Sequence, residues 1–148
     1  MGERAGYRVR QDDKVSHMIR KQWYTGGTNK DLENLCFEIA ETLGGNPGSG
    51  ESALRHDLDI ERMTAALYHV LYSPPFDRIC KDAHCDITDH GIFEIEMFSW
   101  DKWQLNHYTV EYENTKVGEK EVLGTVDVAE GKNGKDILKF TWNNNYDL

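Results

Sequence analysis

At Gly91 the apolar spacing of this chain changes from a helical period to strict alternation, and that switch limits the folds open to it. Upstream, Thr28 followed by Asp31 forms a capping-box pattern with Asp in place of Glu. Leu32, Leu35, Cys36, Ile39, Ala40 and Leu43 then recur at helical intervals until Gly44-Gly45. A second clear helix is predicted from about Asp59 to Tyr72, with Ile60, Met63, Leu67, Val70 and Leu71 inward and Ser73-Pro74-Pro75 ending it. A looser set, Val15, Met18, Ile19, Gln22 and Trp23, predicts a helix from Asp12 or Asp13 to about Tyr24.

Downstream of Gly91 the side chains alternate. Phe93, Ile95 and Met97 interleave with Glu94 and Glu96, and Tyr108, Val110 and Tyr112 with Thr109, Glu111 and Glu113. Val122, Val126 and Val128 flank Asp127, and Leu138, Phe140 and Trp142 flank Lys139 and Thr141. Four strands with short connections, including Asn133-Gly134 as a type I′ turn, predict an antiparallel meander. Helices followed by strands give an α+β domain, with two or three N-terminal helices packed on one face of a four-stranded antiparallel meander sheet. If Trp100-Asp101-Lys102-Trp103 forms the first loop, Ile95 pairs with Tyr108 on the core face and Glu96 with His107 on the other. Glu94, Glu96, Glu111, Glu113 and Asp127 then share the outer face.

Charge is unevenly distributed. Residues 1–30 carry seven Lys/Arg against three Asp/Glu, a net of +4, which leaves ten against 23 in the rest, a net of −13 within the overall −9. An acidic body repels nucleic acid and anionic membranes over about 8 Å at physiological salt and attracts basic surfaces. Residues 1–12 read as a flexible basic arm of a single 1–148 domain. Arg4, Arg8, Arg10, Arg20 and Lys21, interleaved with Tyr7, Trp23 and Tyr24, give a nucleic-acid reading of this segment. Docking of the basic segment on the acidic face of the same chain is the competing reading. The absence of a signal-peptide pattern or a long apolar run predicts no membrane span, and three cysteines, which cannot all pair, suit a reducing cytoplasm.

Two motifs invite chemistry. Gly45 to Ser52 (GNPGSGES) matches the phosphate-loop pattern except that Glu51 stands where lysine must meet the phosphates, and the segment follows a helix; it is rejected as a nucleotide site. Residues 77–90 (DRICKDAHCDITDH) concentrate ligand-type groups, and Cys80, His84, Cys85 and His90 are the right types for zinc. The usual zinc-knuckle spacings are absent. A Cys80/His84 nucleophile pair oriented by Asp77 is the catalytic version of the same cluster.

The order DLDIERMTAALYHVL, Phe76, acidic residues, DHGIFEIE and a Tyr-rich hairpin over residues 57–113 resembles a family of short uncharacterised proteobacterial and plasmid proteins. This chain has Asp89-His90-Gly91 where that family has His-Asp-x-Gly, and lacks its Pro-rich insert. The resemblance implies a prokaryotic or mobile-element setting and no catalytic residue. The leading expectation is a non-enzymatic, cofactor-free inhibitor of a basic protein: a toxin immunity protein, or an anti-CRISPR-like block of a nucleic-acid-binding defence complex. Glu94, Glu96, Glu111, Glu113 and Asp127 would form its surface, with Trp100 and Trp103 as anchors. The alternative is a zinc-dependent enzyme or zinc-stabilised module on Cys80, His84, Cys85 and His90.

Overall fold

Ala5, Tyr7 and Val9 alternate with Arg8 and Arg10, a period of two at the start of the chain, and the computed structural model makes this stretch a central strand. Residues 3–22, 28–44, 57–82, 89–130 and 136–143 are described. The elements are β1 (Ala5–Gln11), β2 (Lys14–Val15), β3 (Met18–Lys21), α1 (Asn29–Leu43), α2 (Ile60–Leu71), β4 (Arg78–Cys80), β5 (Ile92–Ser99), β6 (Lys102–Tyr108), β7 (Glu121–Glu130) and β8 (Asp136–Trp142). One mixed sheet runs in the order β4-β3-β1-β5-β6-β7-β8, with β2 paired to β1. Among the described residues only β1 and β5 run parallel; the crossover between them carries β2, β3, α1, α2 and β4. No helix among the described residues is long and apolar enough to cross a membrane.

Two helices on an eight-stranded mixed sheet replace the expected two or three helices on a four-stranded meander. Within the expected arm and first helix, residues 5–11, 14–15 and 18–21 are strands, whereas Trp23, Tyr24 and the expected Asn133-Gly134 turn lie outside the described residues. Asp12 adopts φ +56 in the β1–β2 turn, and tertiary pairing with β5 outweighs the loose helical spacing of Val15 to Gln22. Pairing Tyr7 with Phe93 and with Ile19 also buries Val9 and Ile19 completely.

The first hairpin is likewise tighter than expected. Its turn is Trp100-Asp101, with Ser99 opposite Lys102 and Ile95 opposite Leu105 rather than Tyr108. This displacement by an odd number of residues exchanges the faces of β6. Trp103 goes to the core, fully buried, and Tyr108 moves to the other face opposite Ile92. Burying an indole stabilises by about 3–5 kcal/mol relative to alanine, enough to choose the register. Gly91 starts β5 at φ +72, where a Cβ would stand 2.1 Å from the Tyr108 carbonyl oxygen.

Both helices cover one face. Thr28 Oγ1 accepts from Asp31 N (3.1 Å) to cap α1, and Asp59 Oδ1 accepts from Arg62 N (3.1 Å) to cap α2. Leu32, Leu35, Cys36 and Ile39 of α1 and Met63, Ala66 and Leu67 of α2 pack on Tyr7, Val9, Phe93, Ile95, Met97, Trp103 and Leu105. The opposite face bears a small second cluster, Met18, Ile92, Tyr108 and Val110. Around it, Arg8, Arg10, Arg20, Glu94, Glu96, Gln104 and Asn106 make the centre of that face polar.

Candidate functional site

Alternation along β5 places Glu94 and Glu96 on the outer face, between β1 and β6. Glu94 is nevertheless only 1% exposed, because both neighbours converge on it. Its Oε2 accepts from Arg8 Nε (2.7 Å) and Arg10 Nε (3.2 Å); its Oε1 accepts from Asn106 Nδ2 (3.0 Å) and the Tyr108 hydroxyl (2.9 Å). Arg8 also lies over the Tyr108 ring, 5.0 Å from its centroid. Burial pushes the Glu94 carboxyl up, but the Asn106 hydrogen bond, the Arg8 charge and the remaining bonds outweigh it, and the group titrates below its ordinary range. Burial and the bond to Glu94 push the Tyr108 phenol up. Glu96 continues the network through Asn106 (2.9 Å), Gln104 (3.5 Å) and Lys120 (3.4 Å).

The outer face is therefore not acidic. Register and alternation place Arg8, Arg10, Arg20, Arg78, Lys102 and Lys139 there against Glu94, Glu96 and Asp127, a count of six cations to three carboxylates. Asp127 is opposite Lys102 and Lys139 in the ladder, with its Oδ1 4.0 Å from Lys102 Nζ. The basic segment thus docks on its own chain. Arg8 and Arg10 meet Glu94, Lys21 Nζ meets Asp77 (3.0 Å), and Arg20 donates to the Phe76 carbonyl (2.9 Å).

Glu111 and Glu113 stand elsewhere. Beyond Tyr108 the chain leaves the sheet as a finger closed by a Val110–Val117 bridge, Glu111 N to Lys116 O (2.9 Å) and Gly118 N to Thr109 O (2.8 Å). Asn114 Oδ1 accepts from Lys116 N (2.8 Å), and Thr115 sits at φ +51 to close the turn. Glu111 and Glu113 are exposed, and Tyr112 between them is 71% exposed. Trp100 is half-buried against the core and Trp103 is inside it, so Trp103 presents no anchor. The alternation of residues 108–113 marks this segment in the sequence, but not that it leaves the sheet.

The 77–90 cluster is divided. Asp77 is buried and accepts from Lys21 Nζ (3.0 Å), Gln22 N (2.8 Å) and Ser73 N (2.9 Å), which makes it a structural tie rather than an orienting acid. Cys80, on edge strand β4, stands three strands from β5 and level with Glu94. At about 4.8 Å per strand and 3.3 Å per residue it is roughly 19 Å from His90, too far for one zinc to take both. His84 and Cys85 lie outside the described residues. His90 Nε2 is 3.5 Å from Glu3, and its carbonyl accepts from His107 Nε2 (2.6 Å). Among the described residues no three His, Cys, Asp or Glu groups gather as a metal site. Cys36 is fully buried, its thiol pushed up to about 12 by burial and by Glu33.

Comparison with known proteins finds no matching family model, no matching curated protein and no matching solved structure.

Proposed function

We propose that the chain is a non-enzymatic binding protein that blocks a basic protein partner, with the finger after β6 as its contact element. The observation that carries this reading is Tyr112, a large aromatic 71% exposed on a hydrogen-bonded turn between two exposed glutamates. A tyrosine adds contact area at low entropic cost, and flanking carboxylates steer it to Lys/Arg-rich surfaces. The overall charge of −9 works in the same direction. The resemblance over residues 57–113 supports a bacterial or mobile-element setting, where an immunity protein or an anti-CRISPR-like inhibitor acts in this way.

The test replaces Tyr112 with a photo-crosslinking residue in bacterial cells, with the same residue at His69 on the exposed side of α2 as the control. Crosslinks specific to position 112 identify the partner. With that partner purified, Glu111→Lys/Glu113→Lys is expected to weaken binding about tenfold or more and to flatten its salt dependence. Equal crosslinking from both positions, or equal affinity of wild type and double variant at low and high salt, rejects the reading.

A further inference from the structure

Neutralising Glu94 takes one guanidinium, yet two are held against it. Arg8 and Arg10 project from the same face of β1 and both reach Oε2 through Nε. Glu96 stands opposite Arg10 in the β1–β5 ladder but holds Lys120, so the cluster sets three cations, Arg8, Arg10 and Lys120, against two carboxylates, and the repulsion is not fully offset. Each guanidinium carries five N–H donors, and Glu94 engages only the Nε–H of each. No described residue accepts from their terminal Nη groups, and none of these nitrogens is both buried and unsatisfied, so they open to solvent. The side chains remain 12% and 26% exposed. They are also fixed in place: Asn106 and Tyr108 hold the other oxygen of Glu94, and the Tyr108 ring lies against Arg8.

From this we infer that Arg8 and Arg10 form a preorganised receptor for a phosphate-type oxyanion on the outer sheet face, beside the root of the finger. Two adjacent forks present more N–H pairs than one carboxylate can take, and a tetrahedral dianion with three charged oxygens matches them and the local surplus of positive charge. Held from behind by Glu94, the forks lose little freedom on binding.

The probe is inorganic phosphate, titrated at constant ionic strength against sodium acetate, with the Arg Nε–Hε resonances followed by NMR. Phosphate is expected to give saturable shifts at Arg8 and Arg10, with acetate at least about fivefold weaker. Arg10→Lys, which keeps the charge but not the fork, should raise the midpoint about fivefold or more, and Arg10→Gln should abolish saturation. Lys102→Gln should leave the midpoint unchanged. The amide spectrum checks the fold of each variant, and Arg10→Lys carries the test if Arg10→Gln does not fold. Linear shifts that persist in Arg10→Lys overturn the site. Saturation by acetate at the same midpoint overturns the phosphate assignment.

Discussion

Removing one charge from Glu94 tests the central account of this fold. In Glu94→Gln the remaining oxygen must face Arg8 and Arg10, because an amide NH2 there would oppose two N–H donors. The Tyr108 hydroxyl can rotate to accept from the new NH2, whereas Asn106 Nδ2 keeps Glu96 but loses its acceptor at position 94, so a loss on the Asn106 side adds to the one on the arginine side. A hydrogen bond to a charged group contributes about 1.5–3 kcal/mol against about 1 for a neutral one. Two such bonds are weakened, at 2.7 and 3.2 Å, and two guanidinium groups lose their counter-charge. Deleting one partner of a fully buried pair costs about 3–5 kcal/mol; Arg10, 26% exposed, is partly screened, which lowers the expectation to about 2–4 kcal/mol. At about 2–4 °C per kcal/mol for a chain of this size, Tm should fall by roughly 5–15 °C.

Urea unfolding followed by tryptophan fluorescence, with Trp103 as the buried reporter, measures this loss. Its pH dependence has a definite sign. The folded carboxyl titrates below its ordinary range, so the unfolded chain binds more protons as pH falls through about 4.3, and stability is lost there. The gap between wild type and variant should be constant from pH 7 to about 5 and shrink below about 4. A gap under about 0.5 kcal/mol at pH 7, or one that shrinks as pH rises, refutes the picture of a carboxylate held ionised by Asn106, Arg8 and Tyr108.

Three further changes probe other joints of the structure. Gly91→Ala places a Cβ 2.1 Å from a backbone oxygen at φ +72 and should cost about 3 kcal/mol or more, read as the urea midpoint; a neutral result would mean that β5 starts differently. Asp77→Ala strands the amides of Gln22 and Ser73 and leaves Lys21 Nζ only the Leu71 carbonyl, and should lower stability by about 3 kcal/mol in the same assay. In a Cys85→Ser background a thiol reagent at pH 8 should modify half-buried Cys80 in the folded protein and reach Cys36 only on unfolding; equal rates would contradict the burial of Cys36.

The two helices are legible because their signals are local: Thr28 with Asp31, Ser73-Pro74-Pro75 as a stop, and apolar stripes that need only the chain's own periodicity. The strand β1 is not, although Ala5, Tyr7 and Val9 alternate with two arginines, because its decisive partner lies 86 residues away at Glu94. Alternation identified Glu94 as facing away from the helices but does not distinguish a solvated carboxylate from a buried one. The distinguishing signal was the charge imbalance between the first 30 residues and the rest, which is what an internal pairing of Arg8 and Arg10 with Glu94 requires. The register of β5 with β6 is not legible because Trp100 to Trp103 reads equally as a four-residue loop, whereas the burial of Trp103 opposite Met97 fixes the pairing.

The buried network and the exposed finger are mechanically one unit. The finger leaves the sheet at Tyr108, whose hydroxyl is bonded to Glu94, and returns at Lys120, whose ammonium reaches Glu96. Val110 at its root packs with Met18, Ile92 and Tyr108. The position of Tyr112 therefore depends on a carboxylate that it does not touch. Glu94→Gln should raise amide exchange at Glu111, Lys116 and Gly118 by at least the factor at α1, whereas Lys120→Gln, at an exposed ion pair worth under about 1 kcal/mol, should raise it at the finger alone. If exchange at the finger is unchanged in both variants, the turn's own hydrogen bonds suffice to hold it, and the network serves only the stability of the sheet.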